Sequence, residues 1–179
     1  MKKISFLFFF SILCQFAMFG QNQIIKTNPI GFAIGNFNVK YERALSESTS
    51  FLVGGNFYSR KIFGVKATGF GVDGEFRYYI TNRKKPSPEG FYVGPGVSFD
   101  INNLGDVETG GVVNSGGSVT SLGIGATLGY QWVWDSGFAL DLGLGPQYTF
   151  AVVKSDDVDS DVDFSGILPR LVFSIGYAF

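Results

Sequence analysis

Eight charged residues stand at alternate positions within glycine-rich, otherwise apolar segments: Lys40, Glu42, Asp73, Glu75, Arg77, Asp100, Asp141 and Arg170. Carboxylates set among cations in this way suit three kinds of chemistry. They can relay protons, line a selective path for ions, or neutralise one another as a buried ion-pair network, because charges held away from water must be paired. A second constellation is the run 155–163, SDDVDSDVD, in which Asp157, Asp159, Asp161 and Asp163 stand two residues apart. That spacing matches the first ligands of a calcium loop. Val162, however, occupies the position that needs glycine, and Leu168 the position of the bidentate glutamate. The aspartates therefore read as a solvated acidic loop without a dedicated metal site, open at most to weak divalent-cation contact.

The chain has no histidine, the side chain whose ordinary pKa suits a general base near neutrality. Its single cysteine, Cys14, lies in a leader. Serine–histidine and cysteine–histidine arrangements are thus excluded by composition. Carboxylate-only or serine–lysine chemistry is what remains, and the expectation is a protein that is not an enzyme. No cofactor is expected either. The glycine run 109–117 lacks the Lys-Ser/Thr of a phosphate cradle, and Gly123, Gly125 and Gly129 miss the dinucleotide spacing.

The elements that position these charges follow from periodicity. Residues 69–80, GFGVDGEFRYYI, place Phe70, Val72, Phe76, Tyr78 and Ile80 on one face and Asp73, Glu75 and Arg77 on the other. A period of two means strand. Eight strands are expected at 23–32, 36–45, 49–60, 67–80, 90–102, 118–134, 137–153 and 165–179, with Pro29 interrupting the first. Their apolar stripes span about six alternate positions, enough for the ~9–11 residues that cross a bilayer at a tilt. The opposite faces carry Gly, Ser, Thr, Gln and scattered charges, which suits a narrow lumen filled by side chains. A water-exposed face gains nothing from so much glycine. The apolar face is therefore expected outside, against lipid, with Tyr78, Phe91, Trp132, Phe138, Tyr148 and Tyr177 near the stripe ends as interfacial aromatics.

Residues 1–20 read as a secretory signal peptide: Lys2 and Lys3 precede an apolar run, and polar residues follow Gly20. Residues 21–179 are expected to form one outer-membrane β-barrel domain. Loss of the two lysines takes the formal charge from −1 to −3, with no basic excess for nucleic acid. Short connections alternate with longer ones, among them 103–117 and 153–164, as in barrels with short periplasmic turns and longer external loops. The cluster Arg83-Lys84-Lys85 falls in one of the short turns, where it solubilises the turn or docks a periplasmic partner.

The segments 39–45 (VKYERAL) and 50–55 (SFLVGG) resemble the first hairpin of small outer-membrane β-barrel proteins, and 91–96 (FYVGPG) resembles a mid-barrel strand of that group. The opener Lys26-Thr27-Asn28-Pro29 is similar to an uncharacterised barrel family common in Bacteroidota. More loosely, the chain resembles eight-stranded OmpA/OmpX-type barrels. Phe173, Ile175, Tyr177 and Phe179 look like the C-terminal strand that such proteins present to the barrel insertion machinery. The resemblance implies an all-β, eight-stranded antiparallel transmembrane barrel in the outer membrane of a Gram-negative bacterium, in contact with lipid and lipopolysaccharide. Its expected role is structural or surface-interacting, through the external loops, with an unidentified surface or periplasmic protein as partner. A narrow channel for small or hydrophobic solutes is the competing expectation. A soluble lipocalin-like ligand barrel is a third, disfavoured by the charged interior. Calorimetric titration with millimolar calcium is expected to give no saturable heat, in keeping with the missing glycine and glutamate.

Overall fold

The computed structural model describes residues 22–62, 65–81, 86–105, 107–109, 112–114, 117–155 and 162–179. Eight antiparallel strands close into a barrel: β1 (Gln23–Thr27), β2 (Asn36–Ala44), β3 (Thr49–Ile62), β4 (Val65–Tyr79), β5 (Gly90–Leu104), β8 (Gly117–Val133), β9 (Phe138–Ser155) and β10 (Val162–Ala178). Each pairs with its neighbour in sequence around the barrel, and β1 meets β10 to close it. A two-stranded ribbon, β6 (Val107–Thr109) with β7 (Val112–Asn114), stands between β5 and β8.

The register fixes the shape. Following paired residues from Ile24 through Glu42, Leu52, Glu75, Gly96, Gly125 and Gln147 leads to Leu168. Leu168 lies ten residues from Ala178, the direct partner of Ile24 on that strand. A stagger of ten residues around eight strands tilts them roughly 40° from the axis, given about 3.3 Å per residue and 4.8 Å between strands. At that tilt the barrel is just wide enough for side chains to fill it.

Its polarity is inverted relative to a soluble barrel. On β4, Phe70, Val72, Phe76 and Tyr78 face outward, whereas Glu75 and Arg77 are 2% and 1% exposed. The same alternation runs through β8 and β9, where Leu122, Ile124, Leu128, Phe138, Leu142 and Leu144 are exposed and Thr127, Gln131 and Asp141 are buried. The expected orientation of the two faces is the observed one.

Two local expectations need correction. The first strand stops at Thr27 instead of running to 32, and α1 (Pro29–Ala33) follows it. Asn28 caps this turn, its side chain accepting from the Ile30 and Gly31 amides, and Pro29 occupies the first helical position. Both residues favour helix initiation over strand continuation. Gly35, with φ of 79°, ends the turn and lets the chain reverse into β2. The connection 103–117, expected as a long external loop, holds the β6–β7 ribbon, with β-branched residues on either side of the sequence Gly110-Gly111. The other strand ends fall within three residues of their expected places.

The signal segment, Arg83-Lys84-Lys85 and Asp157, Asp159 and Asp161 lie outside the described residues. Asp163 is exposed on β10, opposite Val152. Replacing outward-facing Ile124 by arginine is expected to destabilise the vesicle-folded barrel by about 2–4 kcal/mol, and Trp134→Arg at the turn by about 0–1 kcal/mol. Urea unfolding in lipid measures both.

Candidate functional site

The barrel interior near the chain termini is a layer of paired charge. Lys26 projects inward from β1, its Nζ 2.6 Å from Glu42 Oε2, 2.6 Å from Asp141 Oδ2 and 2.7 Å from Gln131 Oε1. Arg77 reaches the same acids, with Nη1 2.8 Å from Asp141 Oδ2 and 3.3 Å from Glu42 Oε2, and Nε 2.6 Å from Glu75 Oε1. The remaining carboxylate oxygens are satisfied by hydroxyls. Ser50 donates to Glu42 Oε1, and Tyr79 donates to the same oxygen at 2.7 Å, while Tyr92 donates to Asp141 Oδ1 at 2.8 Å and Thr127 to Glu75 Oε2 at 2.8 Å. Lys26, Glu42, Glu75, Arg77 and Asp141 are all at most 2% exposed.

Aromatic rings complete the layer. The Arg77 guanidinium lies 4.0 Å above the Tyr92 ring, a cation–π contact in a desolvated setting. Glycine makes room for that tyrosine: a Cβ at Gly129 would come within 2.5 Å of the Tyr92 hydroxyl, and one at Gly143 within 2.9 Å. The β4–β5 connection folds over this end of the barrel. Ser87 is buried and donates through its amide to Glu47 O at 2.8 Å, and Gln131 Nε2 donates to Pro88 O.

A looser polar zone lies further from the termini. Arg170 bridges the two zones, donating to Gln147 at 3.0 Å and to Glu75 at 3.2 Å, with Asp73 at 3.8 Å. Lys40 pairs with Asp73 at 2.9 Å, both side chains partly exposed. Beside this pair is a cavity of about 160 Å³ lined by Asn28, Asn36, Asn38, Asn56 and residues 171–174.

Seven of the eight expected lumen charges are thus joined by ion pairs. Asp100 has no ion pair among the described residues; it faces inward, with Asn56 Nδ2 at 3.5 Å, at the limit of a hydrogen bond. Lys26, the hub of the layer, is absent from the expected set because β1 is too short to display an alternation. Charge balance holds the signal, since three cations against five acids require another cation. Of the C-terminal set, Phe173, Ile175 and Tyr177 fall on the outward register of β10, and Phe179 exchanges backbone hydrogen bonds with Gln23. Among the described residues no three metal-ligating side chains converge on a metal site.

Breaking a buried ion-pair layer leaves an uncompensated charge. Lys26→Met is expected to lower stability by about 3–5 kcal/mol, whereas Asp100→Asn, outside the layer, is expected to cost less than about 1 kcal/mol. Urea titration of the folded barrel in detergent separates the two.

Comparison with curated proteins finds no match. Among solved structures, the chain is similar to the N-terminal β-barrel domain of Pseudomonas aeruginosa OprF, at 11% identity and a TM-score of 0.43, covering 90% of this chain and 100% of that one. It is likewise similar to a major outer membrane protein from Thermus thermophilus, at 12% identity and a TM-score of 0.44, covering 88% and 99%. A family model matches residues 6–159, and the chain belongs to that family, described as "Protein of unknown function (DUF3575)".

Proposed function

We propose that this chain is an integral outer-membrane barrel of a Gram-negative bacterium. In this reading it is not an enzyme, and it works as a structural or surface-interacting element through the connections opposite the termini. The observation that carries the reading is the closed charge layer. Lys26, Glu42, Arg77, Asp141 and Gln131 meet across the lumen from five strands, with side chains that water does not reach. Moving a solute through this plane means separating buried, mutually compensated charges, each worth several kcal/mol of desolvation. The connection bearing Ser87 and Pro88 adds a second barrier on the same side. The outward apolar face supports membrane residence, because an exposed surface so rich in Phe, Leu, Ile and Val requires a covering phase.

The folded protein is expected to migrate in a heat-modifiable way on gels and to fractionate with outer membranes. Recovery as a soluble periplasmic protein would refute the membrane reading. In planar bilayers, no steady conductance is expected from the wild type. Steady ion-selective openings would replace the sealed barrel with a channel.

A further inference from the structure

Among the described residues, the closed barrel carries an unpaired stretch at its β1–β10 joint. β1 pairs with β10 only from Ile175 to Ala178 and with β2 only from Lys40 to Arg43. Beyond Thr27 the chain turns into α1, tied to β2 by the Asn28 amide on Asn38 Oδ1 (2.8 Å) and by Thr27 Oγ1 on Asn38 O (2.6 Å). The helix docks tightly on that side, since a Cβ at Gly31 would sit 2.8 Å from Asn36 O. Among the described residues, no strand pairs with the matching edge of β10 above Ile175.

The direction of that edge's polar groups follows from the register. Pro169 stands opposite Pro146. Two prolines have no N–H groups to exchange, so this is a non-hydrogen-bonded pair, and Pro169 turns its backbone away from β9. By alternation Leu171 and Phe173 do the same, in phase with Phe179, which bonds to Gln23. Their N–H and C=O groups therefore point into the seam, while their side chains lie on the lipid face; Leu171 is 77% exposed. Backbone groups at that depth need partners other than lipid chains. Pro169 removes one donor and hinders addition of another strand.

What borders the seam changes character along β10. Toward the termini lies an apolar outer groove of about 420 Å³, walled by Ile25, Phe32, Val39, Phe138, Ile175 and Tyr177. Away from the termini, residues 171–174 line the asparagine-rich polar cavity. In that cavity Asn36 Oδ1 is buried and accepts no hydrogen bond. The nearby charges Lys40 and Asp73 already neutralise each other.

The geometry points to a binding site at this seam for a neutral, single-chain amphiphile. Its chain lies in the apolar groove, and its hydrogen-bond-donating head enters the cavity through the gap. The acyl chain then points toward the termini and the head toward the opposite end of the barrel. The inference rests on the membrane reading above. It makes the lumen a blind pocket filled sideways from the bilayer.

The protein is folded into phosphatidylcholine vesicles and titrated with a monoacylglycerol brominated in its chain. Quenching of Trp132 and Trp134, the two tryptophans, is followed; the Trp134 ring lies 5.3 Å from that of Phe138 in the groove. Quenching is expected to saturate at low mole fraction. Asn36→Leu, which removes the buried acceptor, is expected to raise half-saturation about tenfold. Phe32→Ala, on the exposed helix, tests the groove independently and is also expected to raise it. Heat-modifiable migration verifies that both variants are folded. Quenching that only rises linearly, as with brominated phosphatidylcholine, would overturn the site, as would half-saturation unmoved in both variants. Equal binding of a brominated fatty acid would overturn the neutral head. Failure of the wild type to enter vesicles would instead refute the membrane reading, and the site with it.

Discussion

Charge inside a narrow barrel whose outer face is apolar has to be neutralised within the barrel, and much of this structure follows from that requirement. Three cations, Lys26, Arg77 and Arg170, face three acids, Glu42, Glu75 and Asp141, through direct contacts. The spare lone pairs of the acids go to hydroxyls and those hydroxyls to particular strands. The identities of Ser50, Tyr79, Tyr92 and Thr127 thus become part of one design. Small residues opposite Tyr92 and Arg77 are its steric complement, because an interior this narrow has no room for two large side chains at one level.

The two ends of the barrel differ for the same reason. Near the termini the interior is dry, matched and covered by the β4–β5 connection. Further up, pairs such as Lys40 with Asp73 are partly wet and asparagines replace charges. Asparagine keeps hydrogen-bonding capacity without demanding a counter-ion, which fits a zone open to exchange. A wall breached only on this side is compatible with a sealed floor. The sealed reading and the lateral site therefore describe one vessel.

Much of this was legible in the sequence because a barrel with an apolar exterior and a polar interior writes its orientation into every second residue. The stretch 69–80 needed only its alternation to place Phe70 outside and Glu75 inside, and the long strands left little freedom of register. Legibility failed where the signal was short. Asn28-Pro29 is a helix start inside an apparent strand, and five residues of β1 could not show that Lys26 points inward. It failed again where contact depends on shear. Which of the inward charges share a level is set by the ten-residue stagger, so Asp100 looked equivalent to Asp141 although the tilt carries it away from the layer. The seam was invisible for a related reason: it arises from unequal strand lengths around the circle.

The placement of Lys26 bears on how the barrel comes together. It belongs to the shortest strand, at the joint where the first and last segments of the wall meet, yet its ammonium contacts side chains from β2, β8 and β9. Without Lys26, the three acids Glu42, Glu75 and Asp141 would be matched only by Arg77 and Arg170, one positive charge short. The strand with the least backbone pairing is thus anchored through its ammonium to the far side of the interior, so that the joint of the wall and the charge balance of the lumen depend on the same residue.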